Sequence, residues 1–182
     1  MSEIPTRNFG PVRQLGYLVS DLEDSVATWQ NTLGVGPWTL IKNVPLKCEY
    51  MGQPSEPLID IALAYQGDMQ IELIQQTNEA PSPYLSFFQE KRFGLHHTAY
   101  LCDDINDSVT TAIQQGHEIV CDIKMPDGAR YVYTQIPGLG KDIFVEFLQA
   151  TPIMKQMFSD GIAAAKTYDG TQANGLIDFA QF

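Results

Sequence analysis

Gln14-Leu-Gly-Tyr-Leu-Val-Ser-Asp21-Leu-Glu-Asp-Ser-Val26 recurs later in the chain as His97-Thr-Ala-Tyr-Leu-Cys-Asp-Asp104-Ile-Asn-Asp-Ser-Val109. Tyr17 stands against Tyr100, Leu18 against Leu101, and Asp24-Ser25-Val26 against Asp107-Ser108-Val109. A second pair follows in the same order. Asp68-Met-Gln-Ile-Glu72-Leu-Ile-Gln75 matches Asp142-Ile-Phe-Val-Glu146-Phe-Leu-Gln149. Two matched pairs in one order define an internal duplication, with modules over about 10–78 and 94–150.

Each module reads as strand, helix and three strands. The opening segments are short and rich in β-favouring residues. Ser20-x-x-Glu23 predicts a capping box for the first helix, and Asp104 a cap for the second. Leu22, Val26, Trp29 and Leu33 recur at helical spacing, as do Ile105, Val109 and Ala112. Gly34 and Gly116 stand where helices stop. Strands are expected at about 37–43, 58–65 and 69–75, then at about 117–123, 130–136 and 142–149. Gln66-Gly67-Asp68, Asp127-Gly128 and Pro137-Gly138 supply the turns. Gly138-Leu-Gly140 reads as a turn and not a phosphate loop, because no helix start follows it. Ser82-Pro83 predicts a linker helix and Thr151-Pro152 a C-terminal one. From about Lys166 the signal weakens, leaving either an ordered arm ending on Leu176, Ile177 and Phe179 or a frayed tail. The expected organisation is one domain over 1–150 and a helical extension over 151–182.

Glu72 and Glu146 stand out because their strands are otherwise apolar on both faces, so both faces are expected to be covered. A buried carboxylate without a partner costs several kcal/mol or takes up a proton. Neither strand holds a basic residue. Gln14 and His97 open the first strands of the two modules at matching positions. Residues two apart in a strand share a face. If the first and last strands of each module are neighbours, Gln14, Glu72, His97 and Glu146 converge. One imidazole, one amide oxygen and two carboxylates suit a single divalent metal ion: cobalt, nickel, manganese, zinc or ferrous iron. Taken singly, each of these residues reads as ordinary; the joint placement in two copies does not. His96 reads as an outward neighbour of His97, His117 as a strand-end residue, and Tyr17 and Tyr100 as packing residues on the opposite face.

Composition narrows the partners. The chain of 182 residues is 44% hydrophobic and 18% charged, which is globular. Its 22 acidic and 11 basic side chains leave a net charge of −11, unfavourable for nucleic acid or anionic lipid. No apolar run approaches the ~20 residues that span a bilayer. Met1-Ser-Glu-Ile-Pro-Thr-Arg7 has no hydrophobic signal core. Cys48, Cys102 and Cys121 are odd in number and widely spaced, which fits free thiols in a reducing cytoplasm.

Over about residues 11–150 the chain resembles the vicinal oxygen chelate superfamily, which includes glyoxalase I, methylmalonyl-CoA epimerase, extradiol dioxygenases and bleomycin resistance proteins. The resemblance is carried by the Gln14 and Gly94-Leu-His-His97 stretches and by the Glu72 and Glu146 strands. It implies an α+β fold in which two βαβββ modules form an open, U-shaped, eight-stranded mixed sheet, with helices outside. It also implies that Gln14, Glu72, His97 and Glu146 are the metal ligands. The ligand order is similar to one type of glyoxalase I, and the Gly-Leu-His-His run to the epimerase. Extradiol dioxygenases place a histidine where this chain has Gln14. Glyoxalase I places an arginine for glutathione where it has Leu18. Lys42, Lys47, Lys91 and Arg92 are the loose cluster available to a polyanion such as coenzyme A. The superfamily often forms dimers, so a homodimer is compatible.

The expected function is metal-dependent proton transfer next to a carbonyl of a small molecule, through a metal-stabilised enolate, by an isomerase, epimerase or lyase. Glu146 is a candidate base, as the resemblance to glyoxalase implies. Glu56 is another, matching an epimerase glutamate if its loop closes over the site. Trp38, Phe87, Tyr131 and Tyr133 are candidates for an aromatic pocket. The scarcity of basic residues favours a small or weakly charged substrate. Alternatives are an extradiol-type dioxygenase and a non-enzymatic small-molecule binding protein.

Overall fold

In the computed structural model, β1 (Gln14–Leu18) pairs parallel with β6 (Met69–Gln76) and antiparallel with β7 (Gly94–Cys102). β7 pairs parallel with β10 (Phe144–Gln149) in turn. The first and last strands of each module are therefore neighbours, and the two first strands join the halves. The structure describes residues 9–125, 127–138, 140 and 142–181. Met1–Arg7, and Leu139 of the Gly138-Leu-Gly140 turn, lie outside the described residues.

β2 (Thr39–Pro45), β5 (Leu58–Gln66), β8 (Glu118–Lys124) and β9 (Arg130–Gln135) complete the duplicated set. Eight strands thus run β2-β5-β6-β1-β7-β10-β9-β8, as the resemblance implies. Three short strands extend them to eleven: β3 (Cys48–Tyr50), β4 (Gln53–Ser55) and β11 (Gly175–Asp178).

β3 shows how far the sheet curls. β2 lies near one end of the strand order, yet β3 pairs with β8 towards the other. The amide of Leu46 donates to Pro57 O beside β5, and the next residue, Lys47, accepts from the Lys124 amide on β8. Three residue steps from Pro45 to Cys48 reach at most ~11 Å. The mouth of the U is therefore crossed by this short piece of chain. Leu18, Ile74, Ile123, Tyr133 and Phe144 fill the concave side.

Two of the helices, one from each module, cover the convex side. α1 (Leu22–Leu33) buries Leu22 and Val26 against Trp38, Ala62 and Leu73. Its cap is Asp21, whose carboxylate accepts from the Asp24 amide, one residue beyond the expected Ser20. Asp104 caps α3 (Ile105–Gln114) in the same way, through the Asp107 amide. Gly34 ends α1 in the left-handed conformation that glycine tolerates. Tyr17 packs on Trp29 and Tyr100 on Phe147, on the helix side as expected.

α2 (Leu85–Gln89) sends Phe87 into the concave core. α4 (Pro152–Lys166) is capped by Thr151, whose hydroxyl accepts from the Met154 amide. The tail is an ordered arm and not helical throughout. β11 pairs parallel with β2, and Asn174 accepts from the Trp38 amide. Cys48, Cys102 and Cys121 are free thiols. Among the described residues, no helix is long and apolar enough to cross a membrane.

Candidate metal centre

The duplicated polar residues meet at one nitrogen. Nε2 of His97 lies 3.2 Å from the Gln14 amide oxygen, 3.3 Å from a Glu72 carboxylate oxygen and 3.2 Å from a Glu146 carboxylate oxygen. One donor atom each from Glu72, His97 and Glu146 falls within 4.8 Å of the others. His97, Gln14 and Glu146 are buried, and Glu72 is largely so.

The sheet register builds this cluster. Gly16 pairs with Glu72 on one side and His97 on the other. It has no side chain, and the His97 ring occupies the space that a Cβ would take. A Cβ on Gly16 would sit 1.9 Å from Cε1 of that ring. Glu146 pairs with Ala99 on β7 and Tyr133 on β9, so it points to the same side.

Each donor is oriented from behind. Gln14 Nε2 donates to Gln70 Oε1 at 2.8 Å, which turns the Gln14 oxygen to the centre. Gln70 Nε2 donates to the Tyr65 hydroxyl at 2.5 Å, and that hydroxyl reaches Met157 O of α4. On the other side, the Nδ1 atoms of His97 and His96 lie 3.1 Å apart, and His96 Nε2 is 3.0 Å from Pro83 O. If His97 offers the Nε2 lone pair to an ion, its Nδ1 proton is donated to His96. His96 then donates from Nε2 to the carbonyl, which fixes both tautomers. His96 is therefore buried and not an outward neighbour. The β1/β7 ladder slips between Gly16 and Tyr17, leaving His96 as an extra residue on β7. That bulge re-aims its ring to the concave side, where it stacks on Phe144. Behind Glu146, Tyr84 donates to the Tyr133 hydroxyl at 3.0 Å, and Tyr133 is the ladder partner of Glu146.

Electrostatics sharpen the picture. Burial pulls the His97 pKa down, but hydrogen bonds and charge from Glu146 and Glu72 overcome this and raise it to about 9. Burial, then the charge on His97, pushes His96 well below the usual imidazole range. Burial raises Glu146, partly offset by His97, and Glu72 adds to the rise. A proton on Nε2 faces three acceptors, and one imidazolium leaves two carboxylates short of neutrality by one charge. A divalent cation accepting the Nε2 lone pair balances both carboxylates. The donor set of one nitrogen and three oxygens thus fits such an ion.

A cavity of about 320 Å³ opens from this cluster. Tyr131 and Tyr133 line it, as expected of the aromatic candidates. Trp38 belongs to the core under α1, and Phe87 packs on His96 with Arg92 over its ring. Glu56 is exposed in the link between β4 and β5, and it is not among the cavity's wall residues. Lys42 is held by Glu23 and Asp60, and Arg92 by Glu90 and Asp142. Lys42, Lys47, Lys91 and Arg92 do not line the cavity.

The fold is a curled sheet of two such modules carrying a His–carboxylate cluster that could hold a metal ion. Residues 13–134 match the profile of the Glyoxalase/Bleomycin resistance protein/Dioxygenase superfamily, and the chain belongs to that superfamily. The uncharacterized protein YqjC of Bacillus subtilis (strain 168) is 24% identical over 106 residues, 58% of this chain and 67% of that one. Among solved structures, hypothetical protein BH1468 from Bacillus halodurans C-125 aligns with a TM-score of 0.56 at 20% identity, covering 78% of this chain and 94% of that one. Methylmalonyl-CoA epimerase from Mycobacterium tuberculosis aligns with a TM-score of 0.56 at 17% identity, over 85% and 97%. These likenesses concern the fold.

Gln70, His96, Tyr84 and Tyr133 complete the centre as supporting residues. Of these, only Tyr133 is expected from the sequence as a pocket residue, while His96 is expected to face outward. Gln70 carried one signal, a polar side chain two residues before Glu72 on the same strand face.

Proposed function

We propose that this chain is a metal-dependent proton-transfer enzyme, an isomerase, epimerase or lyase acting on the carbon next to a carbonyl of a small molecule. The observation that supports it most is the single His97 nitrogen within 3.3 Å of three oxygens from Gln14, Glu72 and Glu146. These four side chains are the ones that would hold a divalent cation. Bound there, such a cation supplies Lewis-acid stabilisation of the negative charge that develops when a carbon acid loses its proton.

The chain's own groups supply the rest. Glu146 lines the cavity as well as the donor cluster. As a ligand it is less basic than a free carboxylate, so it serves as the general base if it loosens from the ion. Once loosened, it takes the proton from the substrate carbon and returns it. Tyr133 stands beside it on the neighbouring strand, and Tyr84 holds the Tyr133 hydroxyl. Gln70 and His96 keep Gln14 and His97 aimed, so little reorganisation accompanies the reaction. Glu56 has no part in this reading, because it is exposed and outside the cavity wall. The free thiols support a reducing cytoplasm as the setting.

The test is deuterium exchange. The metal-reconstituted protein, in heavy water with a panel of 2-oxo acids, thioesters and hemithioacetals, is expected to exchange the α-proton of at least one class. Glu146→Gln is expected to slow that exchange by at least about 100-fold. Exchange in none of the classes, or an unaffected variant, contradicts the proposal.

A further inference from the structure

Away from the donor cluster, the cavity wall beyond its tyrosines is mostly aliphatic, with Ile59, Ile61, Leu63, Ile123 and Leu148 lining it. α4 adds Ile153, Met154 and Met157, and the C-terminal arm adds Phe179. A second hollow of about 590 Å³ adjoins it along α4. The two share Leu63, Ile153 and Met157, so these three side chains alone form the common wall between them along the helix. Ile153 is 69% exposed and Phe179 40%, an apolar rim with nothing covering it among the described residues. Among the described residues, no Lys, Arg or His lines either hollow. The charged residues that do are Glu72, Asp127, Glu146 and Asp160.

We infer that the ligand is an elongated molecule with an oxygen-bearing head at the Gln14–Glu72–His97–Glu146 cluster and an uncharged aliphatic tail leaving between Leu63, Ile153 and Met157 along α4. This rests on the metal-centred reading above and names its substrate class. Burying a hydrocarbon tail against Ile and Leu side chains is favourable by area alone, and the flexible methionines adapt to its width. A polyphosphate carrier finds carboxylates where it needs guanidinium or ammonium groups. The aliphatic tail, and not a nucleotide handle, supplies the affinity away from the metal.

Straight-chain hydroxamic acids from two to ten carbons are suitable probes, since they chelate a divalent ion through two neighbouring oxygens and vary only in tail length. Their affinities for the cobalt-loaded full chain are measured by calorimetry. Each added methylene is expected to tighten binding about two- to fourfold until the groove is filled. Ile153→Asp is expected to flatten that slope. Binding of acetohydroxamate with no gain from longer tails overturns the inference and leaves the metal reading intact. Tight competition by free coenzyme A also overturns it. Failure to retain cobalt removes the metal reading and this inference with it. The wild-type series decides the matter even if the variant misfolds.

Discussion

The His97 imidazole lies across Gly16, in the volume that any other residue's Cβ would fill. The two are ladder partners on adjacent first strands, one from each half of the duplication. The donor cluster therefore depends on a missing side chain as much as on the four polar ones.

Gly16→Ala is expected to displace the ring. The cost is that of overpacking a buried site, about 1–3 kcal/mol, and the displaced nitrogen no longer faces its three oxygens. Elemental analysis after reconstitution is expected to fall from about one metal per chain to a small fraction, with the fold retained by circular dichroism. Full occupancy in the variant would show that the close approach is unimportant.

Gln70→Leu removes the acceptor that turns Gln14. The Gln14 amide loses its partner and becomes free to flip, and metal affinity is expected to drop about 10–100-fold, as for other outer-shell losses. Chelator competition measures this. His96→Phe is expected to act similarly on His97, by removing the acceptor for its Nδ1 proton.

A glycine inside a helix is ordinarily improved by alanine, by about 1 kcal/mol. Gly161→Ala is expected to do the opposite. A Cβ there would lie 2.0 Å from Cε2 of Tyr65, which supports Gln70 and through it Gln14. Denaturation midpoints and metal affinity are both expected to fall. A rise in stability with unchanged affinity would show that α4 and the centre are uncoupled.

Chelating the metal is expected to destabilise the fold. An ion present at a hundredfold excess over its Kd adds about 2.7 kcal/mol to the folded state. For a chain of this size that corresponds to a melting shift of about 5–10 °C. The shift is expected to vanish in Glu72→Gln, Glu146→Gln double variants, read by differential scanning fluorimetry.

The convergence of the four polar side chains is legible because the duplication marks them twice: Glu72 against Glu146 and Gln14 against His97 occupy matching places. The supporting residues are not. Gln70 is matched by Phe144 in the second half, so the repeat hides it. Strand alternation from His97 points His96 outward, and the bulge at this register overrides that alternation. β3, β4 and β11 are only three or four residues long and form by pairing to existing edges, so they carry little periodic signal. Glu56 matched an epimerase residue by spacing alone, and the chain around it turns that side chain to solvent. The tail's apolar residues signalled order, which β11 provides by pairing with β2.

The central claim is that Gln14, Glu72, His97 and Glu146 jointly hold one divalent ion. Anomalous diffraction from crystals grown with cobalt, recorded on both sides of its absorption edge, tests it most directly. One strong peak ligated by His97 Nε2, the Gln14 oxygen and both carboxylates is the expected result. A saturated crystal with no peak between those side chains, or with its peak elsewhere, contradicts the account.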